Sequence, residues 1–202
     1  MIKQGDCLEL MKEIPDGSVD AIICDPPYLK KFIPMHEALG EAAARVLKDG
    51  GSLLCMEGHA HLPNVIDLLS KNLRWHWCVA YLLDGLNAPL YQKRITARWK
   101  PVVWFVKGKY AGKWVGDVAK SGAREKEFHP WQQSVSGMTD LVEKFTNEGD
   151  TVLDPFMGSG TTGVACLNLN RKFIGFEIDE SYFEIAQKRI DEAQAKKASS
   201  LF

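Results

Sequence analysis

The stretch Thr151-Val-Leu-Asp-Pro-Phe-Met-Gly-Ser-Gly-Thr-Thr-Gly-Val-Ala165 limits what this chain can fold into more than any other. Thr151 to Leu153 is a short apolar run that reads as a buried strand, and it ends at Asp154. A Gly-rich turn follows, and Thr161 to Asn170 reads as a helix. The next strand, Phe173-Ile-Gly-Phe-Glu177, also ends in an acid. Gly158, Gly160 and Gly163 spell G-x-G-x-x-G, the spacing of a turn that carries nucleotide-type ligands between a strand and a helix. By itself the pattern fits a plain tight turn equally well.

The acids narrow the ligand. A dinucleotide lays a doubly negative pyrophosphate on such a turn. Asp154 stands where those phosphates pass and repels them. S-adenosylmethionine has no phosphate. It carries a sulfonium and an α-ammonium, and a carboxylate beside the glycines suits both cations. Glu177 can accept the two ribose hydroxyls. A P-loop is excluded, because no Gly-Lys-Ser/Thr follows the turn.

A chain of 202 residues, 46% hydrophobic and with net charge −1, has the make-up of one globular domain. No apolar run is long enough to span a bilayer, and Met1-Ile-Lys3 does not open a signal peptide, so a cytoplasmic protein with no membrane partner is expected. Cys7, Cys24, Cys55, Cys78 and Cys166 form no C-x-x-C pair and read as reduced thiols, mostly packed in the interior. No His/Cys cluster has metal-ligand spacing, His59 and His61 read as surface residues, and no metal is expected. The charge is unevenly spread. Between Asp84 and Asp117 there is no acid, while Lys93, Arg94, Arg98, Lys100, Lys107, Lys109 and Lys113 fall inside that window. Such a strip is either a solvated face or, on a near-neutral protein, an anion-binding surface.

Along the chain, strands and helices alternate. A short strand closes at Lys3-Gln-Gly-Asp6, and Cys7–Ile14 reads as a brief helix. Val19–Cys24 is too continuously apolar to have a wet face. His36–Lys48 reads as a helix ended by Gly50-Gly51, followed by a strand at Ser52–Met56. His61–Leu73 is helical, Trp75–Leu83 a strand, Asp84–Arg98 a loop, and Pro101–Val106 a strand. Gly108–Phe128 is polar and irregular. Ser134–Thr146 is helical, Asp179 caps a last helix to about Ala193, and Ala195–Phe202 reads as a frayed tail. This order predicts an α/β fold, a Rossmann-like, doubly wound, mostly parallel sheet. Ligands of such sheets lie beyond the C-terminal strand ends. Asp6, Asp25, Asp154 and Glu177 all close predicted strands and should converge there, although Asp6 could simply cap a turn.

Asp25-Pro-Pro-Tyr28 is the second chemical signal. Two prolines fix the backbone, so the Asp25 carboxylate and the Pro26 carbonyl form a rigid pair of acceptors. Such a pair matches one donor with two hydrogens, an exocyclic amino group. Tyr28 offers a flat face for a stacked base.

Asp25-Pro26-Pro27-Tyr28 followed by Asp154-Pro-Phe-Met-Gly-Ser-Gly160 resembles the amino-methylating DNA methyltransferases. The order, catalytic motif first and cofactor loop last, is similar to the β group of that family, and so has the permuted motif order of a methyltransferase fold. Gln4-Gly-Asp-Cys7, Pro15-Asp-Gly-Ser-Val-Asp20 and Lys100-Pro-Val-Val-Trp-Phe-Val-Lys-Gly108 are also similar to family segments, so the resemblance covers nearly the whole chain. It implies a single methyltransferase domain over 1–202, with a short target-recognition insert at about 108–128. It implies S-adenosyl-L-methionine held by Asp6, Cys7, Asp25, Asp154, Phe156, Gly158, Ser159, Gly160, Thr161, Thr162, Glu177 and Ile178, with His129 and Gln132 ahead of the loop. Gln133 and Ser134 depart from the Lys-Pro usual there. Asp25, Pro26, Pro27 and Tyr28 are the implied catalytic residues. Lys93, Arg94, Arg98, Lys107, Lys109 and Lys113 are the expected contacts to duplex DNA. Base readout falls to the short insert, to Asp84–Arg98, to Leu29–Met35 or to a second subunit, which makes a homodimer an expected partner. Asp at the first motif position goes mostly with adenine N6 in the family. Cytosine N4, or an RNA or protein amide, remain open from the residues alone.

Overall fold

The computed structural model of the chain describes residues 1–83, 88–120 and 134–199. Its first half runs β1 (Ile2–Gln4), α1 (Cys7–Met11), β2 (Val19–Cys24), α2 (Met35–Val46), β3 (Leu47–Met56), α3 (Leu62–Leu69) and β4 (Arg74–Leu82). Then come the short strands β5 (Ala88–Leu90) and β6 (Ile95–Ala97), followed by β7 (Trp99–Val106) and β8 (Val118–Lys120). The last part is α4 (Val135–Phe145), β9 (Thr151–Asp154), α5 (Thr161–Asn168), β10 (Lys172–Glu177) and α6 (Glu180–Ser199).

Eight strands form one sheet in the order β1-β10-β9-β2-β3-β7-β4-β8. All neighbours pair in parallel except at β7, which runs antiparallel to both β3 and β4. The mostly parallel sheet expected from the alternation is therefore present, with one reversed strand. Alternation of side chains explains the layers. Ala21 and Ile23 of β2 enter one core with Met138, Leu141 and Val142 of α4, Ala165 of α5 and Ala186 of α6. Ile22 and Cys24 enter the opposite core with Met11 of α1, Leu39 and Ala43 of α2 and Val65 of α3. Both faces of β2 are thus dry, as its unbroken apolar run requires.

Two glycines are set by close approach. A Cβ on Gly163 would meet Phe173 at 2.7 Å and Ile190 at 2.8 Å, so α5 can lie on β10 only with glycine there. A Cβ on Gly137 would stand 1.9 Å from the Tyr81 hydroxyl, which presses α4 onto β4.

Several boundaries differ from expectation, and the segment expected to be irregular after Gly108 supplies β8, which pairs with β4. α2 stops at Val46, because Leu47 is already extended and pairs with Val19. Gly50, at φ +80°, is a bend inside β3 rather than a helix stop. The expected loop before Arg98 contains the antiparallel hairpin β5–β6, with Arg94 left-handed at φ 52° closing its tip. The tail expected to fray continues as helix to Ser199, and Lys197 donates to the Leu167 carbonyl at 3.2 Å. Among the described residues no helix is long and apolar enough to cross a membrane.

Candidate active site

From β2 the chain winds to one side through β3, and from β9 it winds to the other through β10. The crevice between the C-terminal ends of β2 and β9 is the topological switch point, where ligands of open α/β sheets bind. Asp154 ends β9, Asp25 follows β2, and Glu177 ends β10. Three of the four acids thus flank one crevice. Asp6 lies beyond Glu177, since Gly5 N–H donates to the Glu177 carbonyl at 2.9 Å. It is the exposed N-cap of α1, accepting from Leu8 N–H at 2.8 Å and Glu9 N–H at 3.3 Å.

The Gly-rich turn is held from inside. Asp154 is buried, accepting from Phe156 N–H at 3.0 Å and from the Thr162 hydroxyl at 2.6 Å. The carboxylate expected beside the cofactor's cations is thus buried, and its oxygens also organise the turn. Burial pushes its carboxyl up to about 7, and the charges of Asp25 and Glu177 add to the rise. Ser159 and Thr161 also point inward. Arg189 of α6 donates to the Ser159 carbonyl at 2.6 Å, the Ser159 hydroxyl at 3.0 Å and the Thr161 hydroxyl at 3.2 Å. The Ser159 and Thr161 hydroxyl oxygens thus accept from Arg189 and the Thr162 hydroxyl donates to Asp154, all within the frame of the turn. Arg189 carried no signal in the sequence beyond its place on an amphipathic helix.

Glu177 is different. It is half-buried, with Oε2 accepting from Gly158 N–H at 2.9 Å and Oε1 from Asp179 N–H at 2.9 Å. Each carboxylate oxygen has two acceptor sites, so one on each remains for a diol. Gly158 at φ +50° has no atom near the space a Cβ would take, which leaves the turn open to a ligand. These residues fit a cationic, phosphate-free cofactor with a ribose. Phe156 is half-buried, Ile178 is exposed, and Cys7 is half-buried with its thiol pushed up to about 12 by burial and the Asp6 charge. His129 and Gln132 lie outside the described residues.

At the end of β2, Pro26 is buried and Pro27 exposed. The Tyr28 hydroxyl donates to Asp25 Oδ1. Burial, then the Asp25 charge, raises the Tyr28 phenol well above its ordinary value, so the group stays a donor. The Tyr28 ring lies against Gly58, just past β3. Lys100, at the start of β7, reaches the same pair, 3.1 Å from the Tyr28 oxygen and 3.9 Å from Asp25 Oδ2. In the sequence Lys100 belongs to the basic strip and opens a family-like segment, and neither places it at this pair.

That strip is broken in two by the reversal of β7. Its start, with Arg98 just before it, lies at the crevice rim, as does the base of the β5–β6 hairpin carrying Lys93 and Arg94. Its end lies at the opposite rim. There Lys107 donates to the Leu47 carbonyl at 2.8 Å, the Lys109 carbonyl faces Gly50, and Lys113 caps α4 through the carbonyls of Glu143 and Thr146. Lys107, Lys109 and Lys113, expected to contact DNA, lie at the far end of the sheet from Asp25 and Tyr28.

Beneath the site, folding assembles a cluster that spacing did not foretell. His36, Cys55 and Glu57 bring three metal-capable atoms within 4.8 Å of one another. His36 is bonded through Nε2 to Glu57 at 2.8 Å and through Nδ1 to the Ile33 carbonyl at 3.0 Å. Burial opposes its protonation, but Glu57 outweighs it and raises the imidazole overall. His59, expected at the surface, is half-buried and packs edge-on against Trp99 with centroids 4.8 Å apart.

Comparison with known proteins agrees with this geometry. Residues 111–188 match the family described as DNA methylase, of N6/N4 type. The chain is 31% identical to the DNA adenine methyltransferase YhdJ of Escherichia coli strain K12 over 257 aligned positions, covering 99% of this chain and 85% of that one. The alignment is longer than the chain, so that relative carries insertions absent here. The crystal structure of the M1.HpyAVI–SAM complex superposes with a TM-score of 0.78 at 30% identity, over 95% of this chain and 98% of that one. PvuII DNA methyltransferase, cytosine-N4-specific, shares the fold with a TM-score of 0.82 at 16% identity, over 96% of this chain and 89% of that one. Motif, crevice and a relative matched along almost the entire chain lead to one assignment: the chain belongs to the N6/N4 family of DNA methylases.

Proposed function

We propose that the protein transfers a methyl group from S-adenosyl-L-methionine to the exocyclic N6 of adenine in duplex DNA, in the cytoplasm of a bacterial or phage-infected cell. The observation that carries this reading is the placement of Asp25 and Tyr28 beside the Glu177 crevice, across the switch point of the sheet. Bound S-adenosylmethionine supplies a methyl group activated by its sulfonium. Glu177 holds the ribose hydroxyls, the Gly158 turn leaves room beside them, and the acids of the crevice favour the cationic end. His129 and Gln132 are proposed to hold its methionine end.

The target base must leave the stack, which costs a few kcal/mol. Tyr28 provides the face on which the extruded base stacks, and the Pro26 carbonyl and Asp25 accept the two amino hydrogens. Asp25 Oδ1 accepts from the Tyr28 hydroxyl, so the amine shares that oxygen or displaces the hydroxyl as it enters. Asp25 then stabilises the positive charge that grows on the nitrogen, and positioning plus electrostatics carry the rate.

Lys93, Arg94 and Arg98, on or beside the hairpin at this rim, are assigned to the DNA phosphates, and the hairpin is assigned to base readout ahead of residues 108–128, of which 121–128 lie outside the described residues. Adenine is favoured by Asp25 at the first motif position and by the named activity of the YhdJ relative. The test is incubation with S-adenosylmethionine and mixed-sequence duplex DNA, digestion to nucleosides and mass spectrometry. N6-methyladenosine deoxynucleoside is expected from the wild type and none from Asp25→Ala; the N4-methylcytosine product would overturn the choice of base. Sedimentation of the protein alone tests the homodimer.

A further inference from the structure

Lys100 touches both members of the catalytic pair. Its Nζ donates to the Tyr28 oxygen at 3.1 Å, lies 3.9 Å from Asp25 Oδ2 and stands 5.0 Å from the centroid of the Tyr28 ring. The side chains of Lys100 and Asp25 are each about three-quarters buried, at 25% and 24% exposure, so this is no wet surface pair. The position is built rather than incidental. Lys100 pairs with Tyr81 in the register of β7 with β4, and the next residue, Pro101, accepts from Glu57 N–H at 2.8 Å. The end of β3 and the start of β7 are thereby locked together over the loop that carries Tyr28.

From this geometry we infer that Lys100 is a positioning residue of methyl transfer, which holds the Asp25 carboxylate and the Tyr28 ring in place while the target amine joins the Tyr28 hydroxyl at Asp25 Oδ1 or displaces it. The inference rests on the proposed function of the same site. Two donors meet at Asp25 Oδ1, the Tyr28 hydroxyl and the incoming amino group; the oxygen can accept both, but each bond is weaker when the oxygen is shared. A Tyr28 hydroxyl tied only to Asp25 would then be held less firmly at the moment its ring is needed for stacking. Lys100 binds the phenol oxygen rather than its hydrogen, and binds the carboxylate through the other oxygen, Oδ2. Both of its contacts therefore survive the exchange. Its charge also opposes the repulsion between Asp25 and buried Asp154, and an ammonium over the Tyr28 ring, 5.0 Å from its centroid, adds to the hold on the ring. A preorganised carboxylate lowers the barrier because it does not have to reorient as charge develops.

The test compares Lys100→Met, Lys100→Arg and the wild type in single-turnover methylation, with S-adenosylmethionine affinity by calorimetry and thermal unfolding measured on each. Lys100→Met is expected to slow transfer by about 10- to 100-fold while cofactor affinity stays within about threefold. Lys100→Arg, which can still bridge a phenol and a carboxylate, should recover much of the rate. In a Tyr28→Phe background the effect of Lys100→Met should shrink, because the bond it removes is already half gone. A Lys100→Met rate within about twofold of wild type overturns the inference, as does a full effect that persists beside Phe at position 28. A loss of cofactor affinity in step with the rate would mean a structural role and overturns it too. Should the wild type methylate RNA or protein instead of DNA, the function proposed above fails, and the same comparison on that acceptor still decides the role of Lys100.

Discussion

Replacing Asp154 by Asn removes a charge from the interior and leaves the turn its bonds. The amide oxygen can still accept from Phe156 N–H, and the amide nitrogen can donate to the Thr162 oxygen. In the wild type, burial raises this carboxyl from 3.8 to about 7. Between about pH 4 and pH 7 the folded protein therefore holds a proton that the unfolded chain has released, and stability falls as pH rises through that window. Three pH units at about 1.36 kcal/mol each set a ceiling of about 4 kcal/mol on the loss. The assay is urea unfolding of wild type and Asp154→Asn at intervals from about pH 5 to pH 8, taking the difference at each pH so that other titrating groups cancel. The Asn variant should gain on the wild type as pH rises and level off above about pH 7. A cation placed beside Asp154 favours its ionised form, so stabilisation by S-adenosylmethionine should grow with pH in the wild type and far less in the variant. A difference that stays flat, or that moves toward the wild type with rising pH, refutes the reading of Asp154 as a buried carboxyl that holds its proton to near neutrality.

Glu177→Ala should weaken S-adenosylmethionine binding by about 1–3 kcal/mol in a protein that remains folded, measured by calorimetry, since both ribose bonds and the brace on Gly158 are lost. Converting Lys93, Arg94 and Arg98 together to Ala should lower the salt slope of duplex binding by up to about three units, whereas Lys107→Ala with Lys113→Ala should leave the slope unchanged. Gly137→Ala should destabilise the fold by about 1–3 kcal/mol or more in urea unfolding, because its methyl would collide with the Tyr81 hydroxyl.

The elements that were legible are those whose chemistry is local. Asp25 to Tyr28 are consecutive, and two prolines orient the acceptors before any tertiary contact forms. The strand, glycine turn and helix around Asp154 follow from apolar runs and from glycines at fixed offsets, and the strand-ending acids follow from the same runs. Alternating strands and helices then imply a parallel sheet with its ligand at the strand ends. Asp6 shows the limit of such reading. It lies two residues past the end of β1, and of the two roles open to it, strand-end acid or cap, the path of the next few residues makes it the cap of α1.

What the tertiary structure decided depends on partners far apart in the chain. The eight residues of β7 read the same in either direction; pairing with β3 and β4 makes the strand antiparallel. That reversal carries Lys100 to the catalytic pair and sends Lys107 to the far rim, splitting a strip that looks continuous in sequence. The inward turn of Ser159 and Thr161 is likewise set by Arg189, thirty and twenty-eight residues away. Composition and spacing identify the residue types a methyl transfer needs. Which of them face the crevice, and which are consumed in building it, is fixed by burial and by long-range pairing, because a side chain satisfied inside the fold is no longer offered to a ligand.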